Sequence, residues 1–65
     1  MITVNGEKVE IRKGETLLEM VEERGYRLAV IAVEYNGMIL NKEAYGSTVL
    51  SEGDRVEIVS FVGGG

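Results

Sequence analysis

Alternation between apolar and polar residues governs the first dozen positions. Ile2 and Val4 fall on one side of an extended chain and Thr3 and Asn5 on the other; Val9 and Ile11 repeat the pattern against Lys8, Glu10 and Arg12. Asn5-Gly6 separates the two runs, a pair that tolerates the positive φ of a tight turn, so a β-hairpin is predicted. The period then changes. Leu17, Leu18, Met20 and Val21 cluster on one side of a helix and leave Glu19, Glu22 and Glu23 on the other. Thr16 with Glu19 three residues later is a capping-box pattern, and Gly25 supplies the stop. A helix of about two turns does not persist alone and needs a sheet to pack on.

A strand-rich second half follows. Residues 29–35 read as a mostly buried strand, Asn36-Gly37 as a second hairpin turn and residues 38–40 as a short return strand. Residues 41–50 have weak periodicity and are expected to form a loop with a helical turn around Tyr45, whose ring plugs the core. Ser51-Glu52-Gly53-Asp54 reads as a turn and residues 55–62 as the last strand. Hairpin, helix, hairpin, strand describes an α+β domain: a mixed sheet of four to five strands with one main helix packed on one face. The arrangement expected is a β-grasp, with the last strand central and parallel to the first. An α+β roll with another strand order is the alternative. The division expected is a β-grasp domain over residues 1–62 and a flexible glycine tail over residues 63–65.

Composition narrows the chemistry. The chain has 65 residues, no cysteine and no histidine. A chain this short buries only about 60% of its unfolded surface and has room for one core. Neither disulfides nor thiolate-held metal supplements that core, and the commonest general base is absent. A net charge of −4 opposes nucleic acid and anionic lipid. The longest apolar run, residues 28–33, is far short of the roughly 20 residues that span a bilayer. No export signal is read at the N-terminus, and a cytoplasmic location is expected. No carboxylate pair or metal-ligand spacing stands out, and Gly46-Ser47-Thr48 lacks the Lys-Ser/Thr of a phosphate loop. No catalytic residue, metal or bound cofactor is therefore expected. The acidic helix face of Glu19, Glu22 and Glu23 reads as a solvated surface.

The chemistry concentrates at Gly63-Gly64-Gly65, behind the apolar run of residues 56–62. An ordinary carboxylate is a poor electrophile, but an adenylyl group from ATP turns it into a mixed anhydride open to sulfur, oxygen or nitrogen nucleophiles. A carboxylate on Gly65 reaches deeper than any side chain, and glycines lacking Cβ fit a narrow channel. The competing reading of these glycines is a frayed chain end. Val59 and Phe61, in the last strand, have three readings: a surface that docks the activating enzyme beside the tail, burial under residues 41–50, or ordinary exposed apolar residues.

Residues 52–65, EGDRVEIVSFVGGG, resemble the C-terminus of the ThiS family, the sulfur carrier proteins of thiamin biosynthesis. Val4-Asn5-Gly6-Glu7, Glu15-Thr16-Leu17-Leu18 and Val33-Glu34-Tyr35-Asn36-Gly37 are also similar to that family, so the resemblance covers essentially the whole chain. It implies a ubiquitin-like β-grasp protein that is a co-substrate of other enzymes and not an enzyme itself. By position, Gly65 would be adenylated by a partner of the ubiquitin-activating type that uses ATP. Sulfur from a cysteine desulfurase would then convert it to a thiocarboxylate, delivered to thiazole synthase. Gly64 and Gly65 match the family's diglycine, and Gly63 with Gly64 would thread the tail into the partner's active site. Three alternatives stay open: a carrier like the molybdopterin synthase small subunit, a ubiquitin-like modifier joined through Gly65, and a non-covalent binding module using the open sheet face.

Overall fold

The computed structural model describes residues 1–61. The first hairpin pairs β1 (Ile2–Val4) with β2 (Glu7–Val9), antiparallel, with Ile2 opposite Val9 and Val4 opposite Glu7. Asn5 and Gly6 both have positive φ, 49° and 85°, and Asn36 and Gly37 repeat this at 50° and 88°. Two consecutive positive-φ residues define the turn whose twist matches a two-residue hairpin, and Asn-Gly adopts it at least cost. The second of these turns joins β3 (Ile31–Tyr35) to β4 (Met38–Leu40).

Helix α1 (Leu17–Glu23) begins where the capping box predicts. The Thr16 hydroxyl accepts from the Glu19 N–H at 3.1 Å, and the Thr16 N–H donates to the Glu19 carboxylate at 3.0 Å. Gly25, at φ 84°, ends it, its N–H bonded to the Glu22 carbonyl. Leu17, Met20 and Val21 of the predicted apolar side are buried, and Leu18 is half-buried against the core.

The last strand, β5 (Arg55–Ser60), lies at the centre of a five-stranded sheet of order β2-β1-β5-β3-β4. It runs parallel to β1 and antiparallel to β3. That order is the β-grasp expected, and α1 covers one face. Ile2 and Val4, Ile31 and Val33, and Val56 and Ile58 form the sheet side of the core, with Leu17, Met20, Val21, Tyr45 and Leu50 completing it.

Residues 41–50 fold back over the start of α1. The Leu17 N–H reaches the Thr48 carbonyl and the Leu50 N–H the Glu15 carbonyl, both at 2.8 Å. The helical turn predicted around Tyr45 is a 3-10 segment, Lys42–Ser47, and Tyr45 is buried as expected. Its hydroxyl has no hydrogen-bond partner among the described residues. Burial raises the phenol pKa, and the nearby Val33 backbone offsets this only in part.

Strand boundaries depart from the sequence reading in three places. Residues Leu28–Val30 form a 3-10 turn closed by the Val30 N–H on the Arg27 carbonyl, so the buried strand starts at Ile31 and not at residue 29. Apolarity could not separate a turn facing the core from a strand. Ile11 lies beyond β2, in a loop that bends toward α1. The last strand ends at Ser60, although the Phe61 N–H still bonds the Val30 carbonyl. Val62 and the glycines Gly63, Gly64 and Gly65 lie outside the described residues.

Candidate functional site

The glycine motif follows β5 in sequence, so how β5 is held decides how firmly its base is placed. Hydrogen bonds from two strands grip it, and both turn asparagines add to them. Asn5 ends β1, its N–H bonded to the Val56 carbonyl at 2.9 Å. Its side chain then continues the ladder: Oδ1 accepts from the Ile58 N–H at 2.7 Å and Nδ2 donates to the Ile58 carbonyl at 3.2 Å. The amide thus stands in for the next residue of β1. Asn36 does the same on the other side, its N–H donating to the Arg55 carbonyl and its Oδ1 accepting from the Arg55 N–H, both at 2.8 Å.

A buried carboxylate fixes the start of the strand. Asp54, 8% exposed, accepts from the Ser51 N–H at 2.7 Å, from Asn36 Nδ2 at 3.1 Å and from the Tyr35 hydroxyl. Burial pushes this carboxyl's pKa up, but the bonds from Tyr35, Ser51 and Asn36 together outweigh it and hold the value below the ordinary one. Burial, with the bond to Asp54, pushes the Tyr35 phenol up to about 12. Sequence reasoning took Asp54 and both asparagines only as turn residues. The available signal was Tyr35 beside the Asn-Gly turn, a polar tip that needs a partner when buried.

At the far end of β5 the alternation works as a sorter. Val56 and Ile58 face α1 and are buried, whereas Val59 is 56% exposed and Phe61 59%. Of the three readings of Val59 and Phe61, burial under residues 41–50 is overturned, since that segment covers the opposite face, over Leu17; exposure agrees with the other two. Val59 instead borders a shallow depression of about 180 Å³ on the open face, lined by Ala32, Val33, Glu34, Ile39 and Glu57.

The acidic helix face is partly paired. Arg12 bonds Glu23 at 2.6 Å and lies 3.7 Å from the buried Glu15, fastening the loop before α1 to the helix. The bond to Arg12 lowers the Glu23 pKa, but both groups are exposed and solvent-screened. Among the described residues no three His, Cys, Asp or Glu side chains are grouped to hold a metal ion, and no helix is long and apolar enough to cross a membrane.

The chain is similar over nearly its whole length to known proteins. Residues 2–65 match the model of the ThiS family. The sulfur carrier protein ThiS of Bacillus subtilis is 35% identical over 66 residues, covering all of both chains. Thiazole synthases from Magnetococcus marinus and Paramagnetospirillum magneticum are 38% and 34% identical over 64 residues. This chain spans 20% of the length of each. A crystal structure of the thiamine biosynthesis protein ThiS from Geobacter metallireducens superimposes with a TM-score of 0.78 at 33% identity, covering 98% of this chain and 97% of that one. Sequence and backbone agree over nearly the whole length, and the chain belongs to the ThiS family.

Proposed function

We propose that this protein is a sulfur carrier of thiamine biosynthesis, a protein co-substrate whose Gly65 carboxylate bears the sulfur. The observation that carries this reading is the end-to-end match to a sulfur carrier protein, by a chain whose glycine motif directly follows its central strand. In the first step a Gly65 carboxylate oxygen attacks the α-phosphorus of ATP and pyrophosphate leaves. The terminal sulfur of a persulfide, supplied by a cysteine desulfurase, then attacks the carbonyl carbon and expels AMP. A thiol reduces the resulting acyl disulfide to the thiocarboxylate. The partner of the ubiquitin-activating type binds the ATP; this chain supplies the acyl group and its delivery. Gly63 and Gly64 add reach, since three extended residues span about 10 Å. Ordering them costs roughly 1–2 kcal/mol each, which docking of the folded body offsets.

Val59 and Phe61 form part of that docking surface, two residues apart at the tail's base. Thiazole synthase is the acceptor in this reading, supported by the two relatives of that name that contain a stretch like this chain. The absence of cysteine suits a reducing cytoplasm, and a carrier of this type needs no thiol of its own.

The test is intact mass after incubation with an adenylating enzyme, ATP and a persulfide donor. Exchange of one oxygen for sulfur at Gly65 is expected, lost on deletion of Gly65. A thiocarboxylate that still forms in the deletion variant overturns the assignment. Higher-mass conjugates that survive reducing gels and vanish with Gly65 identify a modifier instead.

A further inference from the structure

Both hairpin turns are Asn-Gly pairs, Asn5-Gly6 and Asn36-Gly37, and all four residues are exposed. Asn-Gly is the pair most open to loss of the side-chain amide, because glycine has no Cβ to shield its nitrogen from the preceding Cγ. At Gly37 the place of a Cβ meets nothing within 4 Å, so no neighbouring group covers this nitrogen. What holds the Asn36 amide is bonding. Its Oδ1 accepts from the Arg55 N–H at 2.8 Å, and its Nδ2 donates to Asp54 Oδ1 at 3.1 Å. Asp54 is itself 8% exposed and already accepts from the Ser51 N–H and the Tyr35 hydroxyl.

We propose that Asn36 is a site of spontaneous deamidation whose product the fold cannot reseat. The Gly37 nitrogen attacks Asn36 Cγ, the Cγ–Nδ2 bond breaks, and ammonia leaves with the proton that the Gly37 nitrogen loses. Water then opens the resulting succinimide at either carbonyl, giving aspartate or isoaspartate. Turning Cγ onto the Gly37 nitrogen breaks the bonds to Arg55 and Asp54, so the reaction waits on opening of the hairpin. In the aspartyl product a carboxylate oxygen replaces Nδ2 and faces Asp54 Oδ1. Two carboxylates in contact in a nearly closed site cannot both stay ionised, so one takes a proton or the turn stays open. The isoaspartyl product adds a methylene to the main chain of a two-residue turn whose Asn36 N–H bonds the Arg55 carbonyl. At Asn5 the same change sets an oxygen against the neutral Ile58 carbonyl, a dipole and not a charge, so the conflict is greater at Asn36. Hydrolysis does not restore the amide. The start of β5 is thereby loosened in one direction only, whatever Gly65 carries.

The experiment follows the full chain in mildly alkaline buffer, folded and in guanidinium chloride, by site-resolved mass spectrometry that separates aspartate from isoaspartate. Conversion at Asn36 is expected in the folded chain, at least about tenfold slower than in denaturant, because it waits on opening. Asn36→Asp reproduces the aspartyl product and should lower the thermal midpoint by roughly 5–15 °C. An amide placed opposite the new carboxylate separates this repulsion from general damage to the turn. In the Asp54→Asn background, N36D should therefore shift the midpoint by less than about 3 °C. A folded chain that keeps Asn36 intact while the denatured chain converts overturns the proposal. So does folded conversion as fast as in denaturant, an unchanged midpoint in N36D, or the same loss in both backgrounds.

Discussion

Asp54 accepts three hydrogen bonds in a nearly closed site, and its protonation state couples the turn before β5 to β3. Its folded-state pKa lies below the ordinary 3.8, so the stabilisation is present above that value and is lost as pH falls through the folded value. Urea midpoints should therefore hold near neutrality and fall below about pH 4. Asp54→Asn should cost about 1–3 kcal/mol at pH 7 and flatten that acid limb. Tyr35 acts at the other extreme. Its pKa is raised from 10.0 to about 12, so what it contributes is intact below pH 10 and fades toward pH 12. Asn5 separates turn chemistry from strand chemistry. Asn5→Gly keeps the positive φ but removes both bonds to Ile58, and should cost about 1–2 kcal/mol while speeding exchange of the Ile58 amide. Unchanged exchange there would show that the side chain does not hold the strand.

Among the elements, α1 is the most dependent on its context. Seven residues make too short a helix to form alone, so it exists through its cap and through Leu17, Met20 and Val21 against the sheet. Thr16→Ala removes half of the capping box and should lower stability by about 1 kcal/mol. Leu17 is fully buried, and Leu17→Ala should cost about 2–5 kcal/mol. A domain of this size holds only about 3–10 kcal/mol in all, so circular dichroism should show that variant largely unfolded near 37 °C. Strand β5 depends less on local propensity. Its place between β1 and β3 pairs it on both sides, and the two asparagines extend that pairing where β1 and β3 run out.

For the whole molecule, the two faces of the sheet differ in what they bury. The covered face holds the core; the open face holds Val59 and Phe61, each more than half exposed. Val59→Ser and Phe61→Ser should leave unfolding free energy within about 0.5 kcal/mol while weakening partner binding several-fold. A comparable loss of stability and binding would place these side chains in the fold.

Period, turn chemistry and capping by themselves determined the hairpins, the helix with both its ends, and the order of elements, because each depends on neighbours within about four residues. The glycine motif and its neighbouring apolar residues were legible for the same reason: they are contiguous. What tertiary structure decided is what depends on residues distant in sequence. It turned Leu28–Val30 into a 3-10 turn, since the ladder with β5 begins only at Ile31. It joined Asp54 to Tyr35 and Asn36, and Asn5 to Ile58, 53 positions away. It also chose which face residues 41–50 cover, leaving Val59 and Phe61 exposed, and it set Glu34 against Glu57. A period of two assigns a side chain to one face or the other, but only the packing of the helix and that loop decides which face is covered.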